Sequence, residues 1–287
     1  MKKYILFLIP IFLLFVLCQN SVKTAKPKQV IPSDTIPMQY SSGYPNFCLP
    51  ILNGFVNDSL HFKVLFDTGT IGNKFSISDS LKNIFVCDSA FLQIGKLKKR
   101  LRIEFYKSNR RTFINVFGKN TIMIGWKFFE NKIIAFDFQN QRILVYNELP
   151  DVTEYSKIKI TQFQDSHLFI PGQVVLQGKT LQDTFNIDTG CNDYIVLNAK
   201  HIKEQGIDSK NAFYGKATTS TGLSDGFSLP LDTIKLGNLY VANQNMKITF
   251  DYTKYKGSGL LGTRTLEKFL VILDLINYDL YLKKNDE

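Results

Sequence analysis

One short string occurs twice in this chain. Val64-Leu-Phe-Asp67-Thr68-Gly69-Thr70 returns 121 residues later as Phe185-Asn-Ile-Asp188-Thr189-Gly190-Cys191. Its surroundings return with it. Upstream, Phe55-Val-Asn-Asp-Ser-Leu60 stands opposite Leu176-Gln-Gly-Lys-Thr-Leu181. Each reads as a strand, a polar turn and a second strand running into Asp-Thr-Gly. Downstream, Thr121-Ile-Met-Ile-Gly125 parallels Gly259-Leu-Leu-Gly262, and each predicts an apolar strand ending at Gly before a short helical turn. Lys132-Ile-Ile-Ala-Phe-Asp137 and Phe269-Leu-Val-Ile-Leu-Asp274 follow, then the final strands Arg142–Tyr146 and Asp279–Leu282. A repeat of this length means two copies of one folding unit. The copies are expected to be mostly-β lobes at 46–150 and 160–287, joined near Leu149-Pro150.

The second copy carries about 21 more residues between its Asp and the Gly of its Leu-Gly turn, Gly237 against Gly95. They include Phe213 to Gly226, rich in Gly, Ser and Thr, which predicts a mobile hairpin over one side of a cleft.

Residues 1–17 read as an address. Met1-Lys2-Lys3 precedes an apolar run from Tyr4 to Leu17, shorter than the roughly 20 residues a membrane-spanning helix needs. Cys18 directly after the run predicts a lipidated N-terminus, although Phe15-Val16-Leu17 lacks the small residue usual before such a Cys. Residues 18–45 are polar, with Pro27, Pro32, Pro37 and Pro45, and are expected to form a tether. The protein is therefore expected in a bacterial periplasm or anchored to an outer membrane.

Composition narrows the chemistry. The chain of 287 residues is 44% hydrophobic and 21% charged, within the range of folded domains. The net charge is +10, falling to +8 without Lys2 and Lys3. The densest basic spots, Lys96–Arg100 and Arg110-Arg111, read as solvated turns and strand edges, so no nucleic acid is expected as partner. Three His and four Cys favour neither a multi-His metal centre nor a disulfide-built scaffold. Cys48 and Cys87 are equally acceptable as a disulfide or as free thiols. Asp137 and Asp274 end equivalent strands and read as structural turn residues. No cofactor and no metal are expected.

A single Asp-Thr-Gly is a weak signal. Two copies, each after an apolar strand and each followed by an apolar-apolar-Gly strand, resemble the aspartic protease superfamily. Over about 240 residues the chain looks like retropepsin-type lobes fused in tandem, as in exported bacterial aspartyl proteases. The resemblance rests on Phe66–Thr70 with Ile122–Gly125, and on Ile187–Cys191 with Leu260–Gly262. It implies two similar closed-barrel-like lobes around an interlobe cleft, each giving one aspartate to an Asp67/Asp188 pair that activates water. Thr68 and Thr189 would lock the two loops together, and Gly69 and Gly190 would let backbone approach the carboxylates. Ile124-Gly125 and Leu261-Gly262 would pack beneath. Two carboxylates about 3 Å apart cannot both ionise cheaply, so they share a proton; the sequence leaves open which holds it.

Departures from the pattern are Thr70 and Cys191, where a small Ala or Ser is common. The first lobe also lacks an obvious Tyr-bearing flap. Tyr214, Thr219 and Gly222 are the flap or substrate-contact candidates. His61, His167 and His201 read as ordinary strand or helix residues. The implied activity is that of an aspartic endopeptidase acting on an extended polypeptide, as a monomer, with membrane contact only through a lipid anchor. The alternatives are a non-catalytic lipoprotein that binds peptide or envelope polymer on the same fold, or a structural envelope lipoprotein.

Overall fold

The computed structural model describes residues 29–40, 48–70, 72–76, 89–102, 104, 120–163, 167–219, 222–249 and 258–285. The predicted address at 1–17, Cys18 and Cys87 lie outside them. Among the described residues no helix is long and apolar enough to cross a membrane.

The chain is mostly β, with a sheet curled into a half-barrel. In the first half the strands are β1 (Asp34–Tyr40), β2 (Pro50–Val56), β3 (Leu60–Phe66), β4 (Lys74–Ser76), β5 (Ser89–Ile94), β6 (Leu97–Arg102), β7 (Thr121–Ile124), β8 (Ile133–Asp137) and β9 (Arg142–Tyr146). The second half has β10 (Ser156–Lys159), β11 (Thr161–Phe163), β12 (His167–Leu176), β13 (Lys179–Asp188), β14 (Ile195–Asn198), β15 (Phe213–Thr219), β16 (Gly222–Leu236), β17 (Leu239–Thr249), β18 (Ser258–Gly262), β19 (Phe269–Asp274) and β20 (Asp279–Lys284). Two short helices, α1 (Ala199–Glu204) and α2 (Thr263–Leu266), complete the second half.

The repeated residues form repeated wiring. The hairpins β2–β3 and β12–β13 turn through residues in the left-handed region, Asn57 and Asp58 in one, Gln177 and Gly178 in the other. β3 then pairs in parallel with β7, and β13 in parallel with β18. β7 ends at Gly125 and enters a 3-10 turn, Trp126–Phe129; β18 ends at Gly262 and enters α2. The two glycines have nearly the same backbone angles, φ −86° with ψ 174° and φ −87° with ψ 172°.

The halves share a sheet. β8 and β19 occupy equivalent places in the repeat and pair with each other antiparallel, Ala135 opposite Ile272. The order β10-β20-β19-β8-β9-β1 continues the sheet to both sides. Ile134, Phe136, Val271 and Leu273 join one hydrophobic core with residues of both halves.

The expected tether is partly a strand. Residues 34–40 form β1, which buries Ile36 and Met38 and exposes Thr35 and Pro37. Its first four residues pair with β9 and its last three with β2. Period-two burial of two large side chains gives this stretch enough apolar contact to order it.

Candidate active site

β3 and β13 carry the two Asp-Thr-Gly loops to the same place. The parallel neighbour holds each strand end: the Asp67 N–H donates to the Ile124 carbonyl at 2.9 Å, and Asp188 lies in register with Gly262. Each loop then closes the same tight turn. Thr70 N–H donates to the Asp67 carbonyl and Cys191 N–H to the Asp188 carbonyl, both at 3.2 Å.

The threonines cross between the halves. Thr68 Oγ1 accepts from the Thr189 N–H at 3.0 Å and donates to the Ile187 carbonyl at 2.7 Å. Thr189 Oγ1 accepts from the Thr68 N–H at 3.0 Å and donates to the Phe66 carbonyl at 2.6 Å. Both side chains are completely buried. Neither loop can shift without breaking bonds to the other.

The glycines bring each loop against the opposite aspartate. A Cβ on Gly69 would lie 2.5 Å from the Asp188 carboxyl carbon, and one on Gly190 would lie 2.3 Å from that of Asp67. Only a residue without a side chain fits there. Gly69 N–H donates to Asp67 Oδ1 and Gly190 N–H to Asp188 Oδ1, each at 2.9 Å.

The two carboxyl groups are hydrogen-bonded to each other. Burial raises Asp67 above the ordinary carboxylate range, while the bond from Asp188 and the N–H groups of Gly69, Thr70 and Gly190 hold it back. Burial raises Asp188 well above that range, and the charge of Asp67 raises it further, against the N–H groups of Gly190 and Cys191. Burial raises both groups and their mutual proximity disfavours two charges, so the pair shares one proton.

The other predicted site residues lie elsewhere. β15 and β16 form the predicted hairpin. Tyr214 is 68% exposed, with its ring 5.6 Å from that of Phe227. Thr219 and Gly222 are the last paired residues before the tip. Among the described residues neither Cys48 nor Cys191 is in a disulfide. Cys48 is pushed up to about 12 by burial, then by its bond to Glu267, so it is not poised as a nucleophile. Asp137 and Asp274 are turn residues: Asp137 accepts from Asn140, and Asp274 from Ile276 and Asn277.

His61 is exposed, 3.1 Å from Asn53, and His201 sits on α1, 3.6 Å from Asp183. His167 departs from the ordinary strand setting expected of it. It is 3% exposed and hydrogen-bonds the backbone of Gly69 in the other half. The register of β12 and β13 places Phe169 opposite Asn186, and continuing it by two residues brings His167 opposite Asp188. Counting back from the Gln177-Gly178 turn would have revealed this.

No protein-family model matches the chain, and no curated protein matches it. Among solved structures the chain is similar to a retropepsin-like aspartic protease from Rickettsia conorii, at 23% identity and a TM-score of 0.36. The match covers 45% of this chain and 91% of that one.

Proposed function

We propose that the protein is an aspartic endopeptidase whose two catalytic groups are Asp67 and Asp188. The observation that carries this reading is reciprocal: each Asp-Thr-Gly loop presents its glycine to the other loop's carboxylate. A lone Asp-Thr-Gly used as a turn has no reason to meet its copy in this way.

The charged member of the pair accepts a proton from water as the water oxygen attacks the peptide carbonyl carbon. The protonated member donates its proton to the carbonyl oxygen. The tetrahedral species collapses as the first aspartate passes its proton to the amide nitrogen, the C–N bond breaks, and a hydroxyl of the tetrahedral carbon returns a proton to the second. The substrate is an extended polypeptide that binds as an added strand between two lobes. One chain supplies both aspartates, so a monomer suffices.

An exported, lipid-anchored location belongs to the same reading and is supported by the Lys2-Lys3 start, the apolar run and Cys18. Digestion of a peptide library from pH 3 to 8 tests the chemistry. D67N and D188N should each lose cleavage by about 10²–10⁴-fold. Full cleavage by both single variants would sink the proposal.

A further inference from the structure

One sheet face in the first half is basic. β3, β2, β5 and β6 lie side by side, and none of the four contains an Asp or Glu. Period-two alternation turns one set of their side chains into the core and the other outward. The register aligns the outward set across the strands. Phe55 stands opposite His61 in β3 and opposite Gln93 in β5, and Gln93 stands opposite Lys98 in β6. On the same face Phe91 is opposite Arg100, Ser89 opposite Arg102, and Asn53 opposite Lys63. The four cations are exposed, and Phe55 and Phe91 are 45% and 46% exposed among them.

The ordinary use of such cations is to guard an edge strand against pairing with another chain. That accounts for β6, which among the described residues pairs with β5 alone. It does not account for Lys63, because β3 is paired on both sides, or for two half-exposed phenylalanine rings. Among the described residues the one carboxylate that pairs with these cations is Asp58, 2.5 Å from Lys98. Lys98 also lies 5.4 Å over the Phe91 ring. Cations set beside exposed aromatics suit a surface that is anionic outside and apolar beneath. A bilayer with acidic headgroups is such a surface, whereas an acidic polypeptide offers only the charge.

The path of the chain points the same way. The Lys96 N–H, in the β5–β6 turn, donates to Asp34 Oδ2 at 2.6 Å, and Lys96 Nζ donates to the Ser33 carbonyl at 2.9 Å. The chain therefore enters β1 against the turn that begins β6. Asp34 follows Cys18 by 16 residues, and a flexible chain of that length spans about 22 Å. Membrane surface charge is felt only within about 8 Å at physiological salt. A lipid on Cys18 would hold this turn near enough to the bilayer for the face to settle on it.

We propose that the outer face of β3, β2, β5 and β6 docks on an anionic lipid surface, as a second membrane contact beside the lipid on Cys18. The proposal rests on the exported, lipid-anchored reading and not on the peptide-cleaving one. Asp67 follows the far end of β3, about 20 Å from His61, so the docked face is clear of the catalytic loop.

The test mixes the full chain with vesicles of phosphatidylcholine, either alone or with about one-third phosphatidylglycerol. Lysine acetylation, kept to a low extent, is then read by mass spectrometry. Lys63 and Lys98 should react about tenfold more slowly on the anionic vesicles, with Lys200 and Lys203 on α1 unchanged. About 0.5 M sodium chloride should abolish the difference. R100E/R102E should abolish it too and leave peptide cleavage as it was. Should that variant fail to fold, R100Q/R102Q serves as the second and should shrink the difference. Equal rates at Lys63 and Lys98 on the two kinds of vesicle overturn the proposal. Protection by sheared DNA or polyglutamate in place of vesicles also overturns it and assigns the face to an acidic polymer. Protection that grows with protein concentration alone overturns it in favour of a second copy of the chain. The mass of the Cys18 peptide separates the two readings. Protection without a lipid on Cys18 keeps the docking face and ends the anchor; a lipid without protection does the reverse.

Discussion

The two aspartate loops are alike in front and unlike behind. In front, each makes the same turn, the same crossed threonine bonds and the same glycine approach. Behind the first loop the support is aromatic. Phe66 lies 4.9 Å from Phe129 and stacks on Phe136 at 5.6 Å, with Trp126 and Phe128 buried beside them. Behind the second loop it is polar. Thr263 Oγ1 donates to the Thr189 carbonyl at 2.9 Å, its N–H donates to the Cys191 carbonyl at 2.8 Å, and Thr265 Oγ1 donates to the Tyr194 carbonyl at 2.7 Å. The geometry facing the carboxylates is tightly restricted, whereas the means of bracing it from behind is free to differ.

The largest effect should come from the aromatic brace. Phe129→Ala opens a cavity behind Phe66 and should cost about 3–5 kcal/mol in urea unfolding. Thr68→Ala and Thr189→Ala come next. Each leaves one buried carbonyl and one buried N–H without a partner, at about 2–3 kcal/mol. The two should cost the same, because the bonds are reciprocal; a difference beyond about 1 kcal/mol would mean that the front is not symmetric. Thr68→Ser keeps the hydroxyl and should recover most of the loss. Thr263→Val removes only the hydroxyl behind the second loop, at about 1–1.5 kcal/mol. Equal costs for Phe129→Ala and Thr263→Val would break the contrast between the two braces.

Much of this was legible in the residues. The paired hairpins, the Asp-Thr-Gly loops and the strands ending at Gly125 and Gly262 all recur with strong local patterns. The strand at 34–40 was obscured by Pro37. A proline interrupts a ladder of N–H donors, but here it is exposed and sits where β1 changes partner from β9 to β2. The shared sheet was hidden for another reason. The runs 132–137 and 269–274 were recognisable as equivalents, but nothing local says that equivalents pair with each other. His167 reaches a loop almost a hundred residues away, and its strand pattern is the same with or without that contact.

A final contrast sits at the turns after β8 and β19. Asp137 stands opposite Arg142 in the ladder, and Asp274 stands opposite Asp279. In the first turn, Arg142 Nε donates to Asp137 at 2.8 Å. In the second, Asp279 draws its cations from outside the turn, with Lys157 at 2.9 Å and Lys159 at 3.2 Å. Burial raises the Asp137 carboxyl, but the bonds from Asn140 and Arg142 outweigh it and hold the group below the ordinary value. A carboxyl depressed in the folded state stabilises above its unfolded pKa, about 3.9, and loses that contribution as the pH falls through the folded value. Asp137→Asn should therefore cost about 1 kcal/mol at pH 7 and approach no cost near pH 2. Urea unfolding at both pH values checks this. A cost that persists unchanged in acid would mean that Asp137 holds its turn by shape alone, as an amide could, and that the ion pair to Arg142 adds nothing.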